Sequence, residues 1–366
     1  MFTTFNTIAG MRGILALCAL MGFSMRTAPL AQLPGGCTPS PMGTQFADVV
    51  GERKAAAIAI NQSGVTVRRS DGNAFLSNEL WIPQPFFGTD TSGKQNIYFA
   101  DVNGDGRADA IVSNKTEITV SLSDGARFMQ PDPWTREPYF GVYGGKVNNY
   151  FADVNGDGKA DAIVVNPSGV TVRLSDGNRF RRGEEWTREP YLGALGNYFA
   201  DVTGDGKADA IVVNNNGITV RRSDGNRFER NELWSTEPFY GSVGDSVYFA
   251  DVNGDGKADA IVVNTNGITV RLSDGTRFLP NRTWTRRAYY GSVATMFIDI
   301  DGDGKADAVV VNPTEVAVRR SNGERFTEME TWIRIPYYGD LGSGCKEDRR
   351  RRDRDDRDRH RRDRDR

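Results

Sequence analysis

The sequence predicts an all-β fold, a β-propeller of six four-stranded blades, with seven as the alternative count. Three observations predict it. A nine-residue acidic loop, Asp-x-Asn/Asp/Thr-x-Asp-Gly-x-x-Asp, recurs five times, starting at Asp101, Asp153, Asp201, Asp251 and Asp299. Each copy stands between runs rich in Val, Ile, Tyr and Phe, which have strand composition. A sixth, degenerate copy starts at Asp48, and the six starts differ by 53, 52, 48, 50 and 48 residues. Periods of that size mean stacked or circular arrays in which each unit buries its face against the next.

Each element of the unit has its own signal, clearest in the fourth acidic copy. Tyr248-Phe249-Ala250 leads into the loop and Ala258 to Val263 leaves it as a strand. Asn264-Thr265-Asn266-Gly267 makes a turn, and Ile268 to Leu272 forms the third strand. Ser273-Asp274-Gly275 turns again, Asp-Gly between strands being the strongest short hairpin signal. Arg277 through Trp284 is predicted as a fourth strand, after which a loop carries Tyr289-Tyr290-Gly291 to the next unit. Four antiparallel strands repeated around a ring describe a propeller blade.

The acidic loops point to a hard cation. Their ligand positions 1, 3, 5 and 9 are Asp101, Asn103, Asp105, Asp109; Asp153, Asn155, Asp157, Asp161; Asp201, Thr203, Asp205, Asp209; Asp251, Asn253, Asp255, Asp259; and Asp299, Asp301, Asp303, Asp307. Oxygen side chains at this spacing, with a Gly at position 6 for a sharp turn, suit Ca2+ at about five structural sites. Such oxygens would repel one another unless something positive lay between them. They are not EF-hands: position 12, where an EF-hand needs Glu, is Val112, Val164, Val212, Val262 or Val310. In the degenerate copy positions 3, 5, 6 and 9 are Val50, Glu52, Arg53 and Ala56, so it is expected to fold without metal. Charge ranks the loops: Asp299 with Asp301 tightest, and the Thr203 loop weakest.

These FADVNGDGKADAIVVN stretches, preceded by pairs such as Phe87-Gly88, Phe140-Gly141, Tyr240-Gly241, Tyr290-Gly291 and Tyr338-Gly339, resemble FG-GAP/VCBS repeats. Those are the blades of the integrin α-subunit propeller and of many secreted bacterial and fungal proteins. The likeness covers about residues 45–340. The chain departs from that pattern by lacking the Gly-Ala-Pro element and by having Leu192-Gly193 in the third unit. The resemblance implies a calcium-stabilised propeller without implying one activity.

The ends divide the chain into a secretory signal (1–31), a lead-in (32–44), the propeller (45–342) and an Arg/Asp-rich tail (343–366). Arg12 precedes the apolar run Gly13 to Met25, with small residues near Ala28 and Ala31 for cleavage; that run is too short to span a bilayer. An extracellular, periplasmic or cell-surface location and no membrane span in the mature form are therefore expected. Cys18 leaves with the signal. Cys37 and Cys345 then flank the ring, whose ends a propeller brings together, and a disulfide between them is expected in an oxidising compartment. Two free thiols or an intermolecular bond are the alternatives. The tail from Lys346 carries 12 Lys/Arg against 8 Asp/Glu and no apolar residue, so it is expected to be disordered. A solvated zwitterionic tail is the favoured reading, ahead of one that touches an acidic polysaccharide, nucleic acid or cell surface; no nucleic-acid partner is expected.

Catalysis has little to work with. The one His is His360, in the tail, which excludes a Ser-His-Asp or Cys-His arrangement in the ring. No P-loop or zinc cluster appears, and a calcium-assisted polysaccharide lyase is the remote enzyme reading. The repeats offer aromatics instead: Trp81, Trp134, Trp186, Trp234, Trp284 and Trp332 fall one per unit. Two roles are open to them, packing between blades or stacking against a sugar. Similarity to propeller lectins of fungi implies carbohydrate sites between blades, and similarity to integrins implies an extracellular protein ligand. A non-catalytic binding module, lectin-like first and adhesive second, is the functional expectation.

Overall fold

The computed structural model describes residues 43–339, apart from 90–94, 115, 140, 144–145 and 244–246; at 89, 95, 142–143 and 146–147 it describes backbone alone. The signal, the tail, Cys37 and Cys345 lie outside the described residues. Six four-stranded antiparallel sheets follow one another along the chain, each built from consecutive strands, and form a six-bladed β-propeller rather than a seven-bladed one. Blade 1 comprises Thr44–Ala47, Ala56–Asn61, Gly64–Arg68 and Glu79–Ile82, and blade 2 Tyr98–Ala100, Asp109–Ser113, Ile118–Ser121 and Asp132–Pro133. Blade 3 comprises Asn149–Ala152, Asp161–Asn166, Gly169–Arg173 and Glu184–Glu185, and blade 4 Gly196–Ala200, Asp209–Asn214, Gly217–Arg221 and Glu232–Ser235. Blade 5 comprises Val247–Ala250, Asp259–Asn264, Gly267–Arg271 and Arg282–Thr283, and blade 6 Ala294–Ile298, Asp307–Val311, Val316–Arg319 and Glu330–Ile333.

The second strand of each blade reads as a continuous apolar run because both of its faces are covered by neighbouring blades. Asp259–Asn264 is buried at every position but the last. A two-residue hairpin pairs Asn264 with Gly267, whose φ is +147° and where a Cβ would sit 2.1 Å from the Thr285 carbonyl oxygen. Fourth strands are shorter than the sequence predicts. In blade 5 the stretch from Arg277 yields only a bridge between Ser273 and Phe278 before Arg282–Thr283 pairs with the third strand. Beyond that bridge Leu279 N still donates to the Leu272 carbonyl at 2.8 Å, but regular pairing resumes only at Arg282.

Blade-to-blade packing is aromatic and periodic. Each Trp meets the Phe of the next blade: Trp81–Phe128, Trp134–Phe180, Trp186–Phe228, Trp234–Phe278 and Trp284–Phe326, at centroid distances of 5.1–5.3 Å. Trp332 closes the ring on Phe75 at 5.1 Å. The chain after each Trp then laps over the next blade. Tyr191 Oη donates to the Ala210 carbonyl at 3.0 Å, and Tyr337 Oη to that of Ala57, also at 3.0 Å. Among the described residues the first and last blades each consist of consecutive strands, and they are joined by the same kinds of contact that join the other blades. Gly339 N donates to Thr44 Oγ1 at 3.1 Å, which brings the last described residue beside the first strand. Among the described residues no helix is long and apolar enough to cross a membrane.

Candidate cation loops and inter-blade clefts

The acidic loops join the first strand of a blade to its second and fasten each blade to the one before. The amide of loop position 8 donates to the carbonyl of position 1 in the preceding loop, as in Ala160 to Asp101 (2.6 Å) and Ala258 to Asp201 (2.7 Å). Ala55 donates likewise to Asp299 at 2.9 Å, which closes the circle. A Ser at the next turn does the same through its hydroxyl: Ser175 to Val102, Ser223 to Val154 and Ser70 to Ile300, at 2.5–2.6 Å.

Within a loop the first Asp is a nest for backbone N–H groups. Asp101 Oδ1 accepts from Gly104 N and Oδ2 from Gly106 N, both at 2.7 Å. Asp48 in the degenerate copy does the same with Gly51 N (2.7 Å) and Arg53 N (2.6 Å). That copy therefore keeps the loop shape with its other ligand positions lost. Arg53 stands at φ +59° where the other copies have Gly, a left-handed position that an L side chain occupies at a cost of about 1–2 kcal/mol.

The ninth position is the electrostatic centre. Asp109, Asp161, Asp209, Asp259 and Asp307 are wholly buried. One oxygen of Asp109 accepts from Ser123 N at 2.8 Å and the other from Val102 N at 3.2 Å. Burial pushes the carboxyls of Asp109, Asp161 and Asp209 up to about 7 and those of Asp259 and Asp307 up to about 8, although two amides hold each one down. Acidic loop neighbours add to the rise. Burial likewise raises Asp101, Asp153, Asp251 and Asp299 at position 1. A divalent cation would reverse this penalty by supplying the missing positive charge.

Position 5 is already partly neutralised, which the sequence reading did not foresee. Lys159 Nζ lies 3.0 Å from Asp157 Oδ2, and Lys257 Nζ 3.0 Å from Asp255 Oδ2; Lys207, Lys305 and Arg107 meet Asp205, Asp303 and Asp105 in the same way. The loop charges are thus shared between backbone amides, a position-7 cation and whatever ion the oxygens take. Among the described residues one group of three carboxylates lies with its oxygens within 4.8 Å of one another: Asp299, Asp301 and Asp307. The other loops carry Asn or Thr at position 3, so their third oxygen is neutral. The donor types of all five loops suit a hard, oxygen-seeking cation, but among the described residues three carboxylates converge only in the Asp299 loop, at positions 1, 3 and 9; Asp303 at position 5 stands outside that group and pairs with Lys305.

The aromatic positions lead to a second kind of site. Trp81, Trp134, Trp186, Trp234 and Trp284 are each 3% exposed and Trp332 9%, so packing between blades is the role seen for all six. The Trp186 indole borders a cleft. Between blades 3 and 4 this cleft has a volume of about 1050 Å³; Trp186 and Phe228 sit among Arg188, Glu189, Arg221 and Arg230 on its walls. The residues that make the walls polar follow or face the Trp rather than being the Trp itself. Their sequence signal was the variable dipeptide after each Trp (Arg136, Arg188, Glu237, Arg286), which is exposed in every case.

Comparison with known proteins fits this picture. A family model described as an FG-GAP-like repeat matches residues 153–212, 201–262 and 251–310. Each match begins on the first Asp of one loop and ends on position 12 of the next, so residues 153–310 carry three FG-GAP-like repeats. No match is found among curated proteins. Among solved structures, a lectin of Agrocybe aegerita, described by its specific recognition of non-reducing terminal N-acetylglucosamine, is similar at TM-score 0.58 and 22% identity over 80% of each chain. The Tc holotoxin pore of Photorhabdus luminescens is similar at TM-score 0.56 and 17% identity, over 83% of this chain and 15% of that one. At these identities the likeness is one of fold.

Proposed function

From a six-bladed ring that carries FG-GAP-like repeats, we propose a secreted, calcium-stabilised carbohydrate-binding module that works without catalysis. The observation that carries the reading is the blade 3–blade 4 cleft, where an indole rim lies among arginine and glutamate side chains. Aromatic edges beside multidentate polar groups suit a sugar, which offers C–H faces and hydroxyls together. The lectin of similar fold supports this as an analogy. A ring of related clefts turns weak single contacts into avidity when the target surface repeats its glycan.

The test is a glycan array probed with residues 32–342 in calcium and again in a chelator. Calcium-dependent binding to a defined sugar class is the expected result. A silent array from folded, calcium-loaded protein would remove the lectin reading and leave binding to an extracellular protein as the function.

Calcium in this proposal is a structural ligand. Asp101, Asp153, Asp201, Asp251 and Asp299, with their partners at positions 3, 5 and 9, hold it; bound there it supplies the positive charge that the buried ninth Asp lacks. The expected disulfide belongs to the same proposal. Gly43 and Gly339 are in backbone contact, and Cys37 and Cys345 lie six residues outward from them. Non-reducing peptide mapping of secreted protein is expected to recover a Cys37–Cys345 cross-linked pair; two free thiols would refute the clasp. In chain-entropy terms so long a loop contributes on the order of 4–5 kcal/mol.

A further inference from the structure

Two acidic positions close most inter-blade clefts from within. Two residues before each Trp stand Glu79, Asp132, Glu184, Glu232, Arg282 and Glu330; three after it stand Gln84, Glu137, Glu189, Glu237, Arg287 and Ile335. Glu79, Glu232 and Glu330 accept from the indole N–H of Trp81, Trp234 and Trp332 at 3.0–3.1 Å. Glu137, Glu189 and Glu237 pair with Arg173, Arg221 and Arg271 of the following blade, at 2.8, 3.3 and 2.9 Å. Blade 5 alone replaces both acids with arginine.

At the joint between blades 5 and 6 the Trp284 indole N–H is buried without a hydrogen-bond partner, with Arg282 where Glu232 caps Trp234 one blade earlier; the Arg319 Nε–H is unmet too, as it is on Arg68, Arg173 and Arg221. Arg319 lies over the Tyr289 ring at 4.8 Å and donates through Nη1 to the Thr327 carbonyl at 2.7 Å, but among the described residues it faces no carboxylate within ion-pair distance. Arg282, Arg286 and Arg287 are exposed and likewise unpaired. Of the acids of blade 6, Glu330 is held by Trp332 (3.1 Å) and Arg320 (3.3 Å), and Glu315 accepts from Thr331 Oγ1 at 3.2 Å; Glu324 and Glu328 are exposed.

The neighbouring blade 4–blade 5 cleft is the internal control. There Glu232 takes the indole, Glu237 takes Arg271, and Asn281 accepts from Arg271 Nε at 2.6 Å. Unmet donors occur at other joints too, on Arg68, Arg173, Trp186 and Arg221; what sets blade 5 apart is that Arg282 and Arg287 stand where blade 3, for one, retains Glu184 and Glu189.

We propose that the blade 5–blade 6 cleft is a separate site for a carboxylate-bearing saccharide, a uronic-acid residue of a longer glycan. Arginine forks match a carboxylate with two parallel hydrogen bonds; Arg282 and Arg287 supply them. The unmet Trp284 and Arg319 N–H groups donate to any sugar oxygen that reaches them, because an unmet buried donor is unfavourable until an acceptor arrives. This rests on the carbohydrate reading above.

The experiment is calorimetric titration of the calcium-loaded protein with oligogalacturonate, with neutral N-acetylglucosamine oligomers and with inorganic sulfate. Wild type is compared with the Arg282→Glu/Arg287→Glu variant, which restores the blade 4 residues at both positions. Oligogalacturonate is expected to bind with a stoichiometry near one and at least tenfold more weakly to the variant, while neutral oligomers bind both alike. Equal oligogalacturonate affinity in the two proteins, or none in either, overturns the proposal; neutral-sugar binding then leaves the carbohydrate reading standing. Sulfate binding as tight as oligogalacturonate means an anion site without sugar recognition and also overturns it. Failure of every sugar overturns the carbohydrate reading itself. Should the double variant not fold, Arg287→Gln, the residue type that blade 1 carries as Gln84, is expected to show the same direction of loss.

Discussion

Excess chelator is expected to lower the melting temperature by roughly 10 °C or more, reversibly on re-addition of calcium and with little response to magnesium. The size follows from mass action. A site held at a hundredfold its Kd contributes about 2.7 kcal/mol, and each kcal/mol moves Tm by about 2–4 °C in a mid-sized domain, somewhat less in a larger one. Several loops acting together therefore reach double figures even if most bind weakly. The loops are also where blades meet: Ala160 and Ala258 donate back to the preceding loop, so loosening one loop loosens a joint. The effect is expected to be largest through the loop of Asp299, Asp301 and Asp307, whose carboxylates converge and which sits at the closure between blades 6 and 1. Asp307→Asn is expected to remove more of the calcium-dependent rise in Tm than Asp209→Asn. Scanning calorimetry with and without chelator decides this; a Tm indifferent to calcium would mean that amides and position-7 cations suffice by themselves.

Trp234→Ala is expected to cost about 3–5 kcal/mol of stability, the usual range for truncating a buried indole. The indole packs edge-on against Phe278 at 5.3 Å and donates to Glu232, so truncation empties a joint between blades 4 and 5 and leaves Glu232 to Arg222 alone, at 3.1 Å. Melting should fall by about 6–20 °C on the same scaling. Glycan affinity per folded molecule should change far less at the other clefts. Denaturant unfolding combined with titration separates the two roles: a variant of unchanged stability that loses binding everywhere would return the tryptophans to the ligand-stacking role.

The blade repeat was legible because each signal is local. A loop with Asp at 1, 5 and 9, an Asn-Gly or Asp-Gly turn and a Val/Ile run lie within a few tens of residues, and periodicity multiplies a weak signal. The degenerate first copy was legible for the same reason, since Asp48 and the flanking apolar runs suffice to shape its loop. The position-7 cations were present in the sequence, yet their target was not, because a flexible Lys side chain chooses among several nearby carboxylates only once the loop is folded. The short fourth strands were missed because strand propensity says nothing about whether a blade edge finds a partner.

The structure was needed to settle six blades rather than seven; by itself the sequence determined the all-β class, the order of strands within a blade and the recurring acidic loops. All of these depend on residue types at short, fixed spacing. Only the tertiary structure decided what the tryptophans do, because their partners come from the next blade, as in Trp186 with Phe228, and burial is a property of the closed ring. It likewise decided that the clefts differ. The acids around each Trp are similar in sequence, but which of them meets an indole N–H or an arginine across the joint depends on side chains brought together from two blades. The arginines of blade 5, Arg282 and Arg287, stand out in the sequence, but the unmet Trp284 N–H beside them shows only once both sides of the joint are in place.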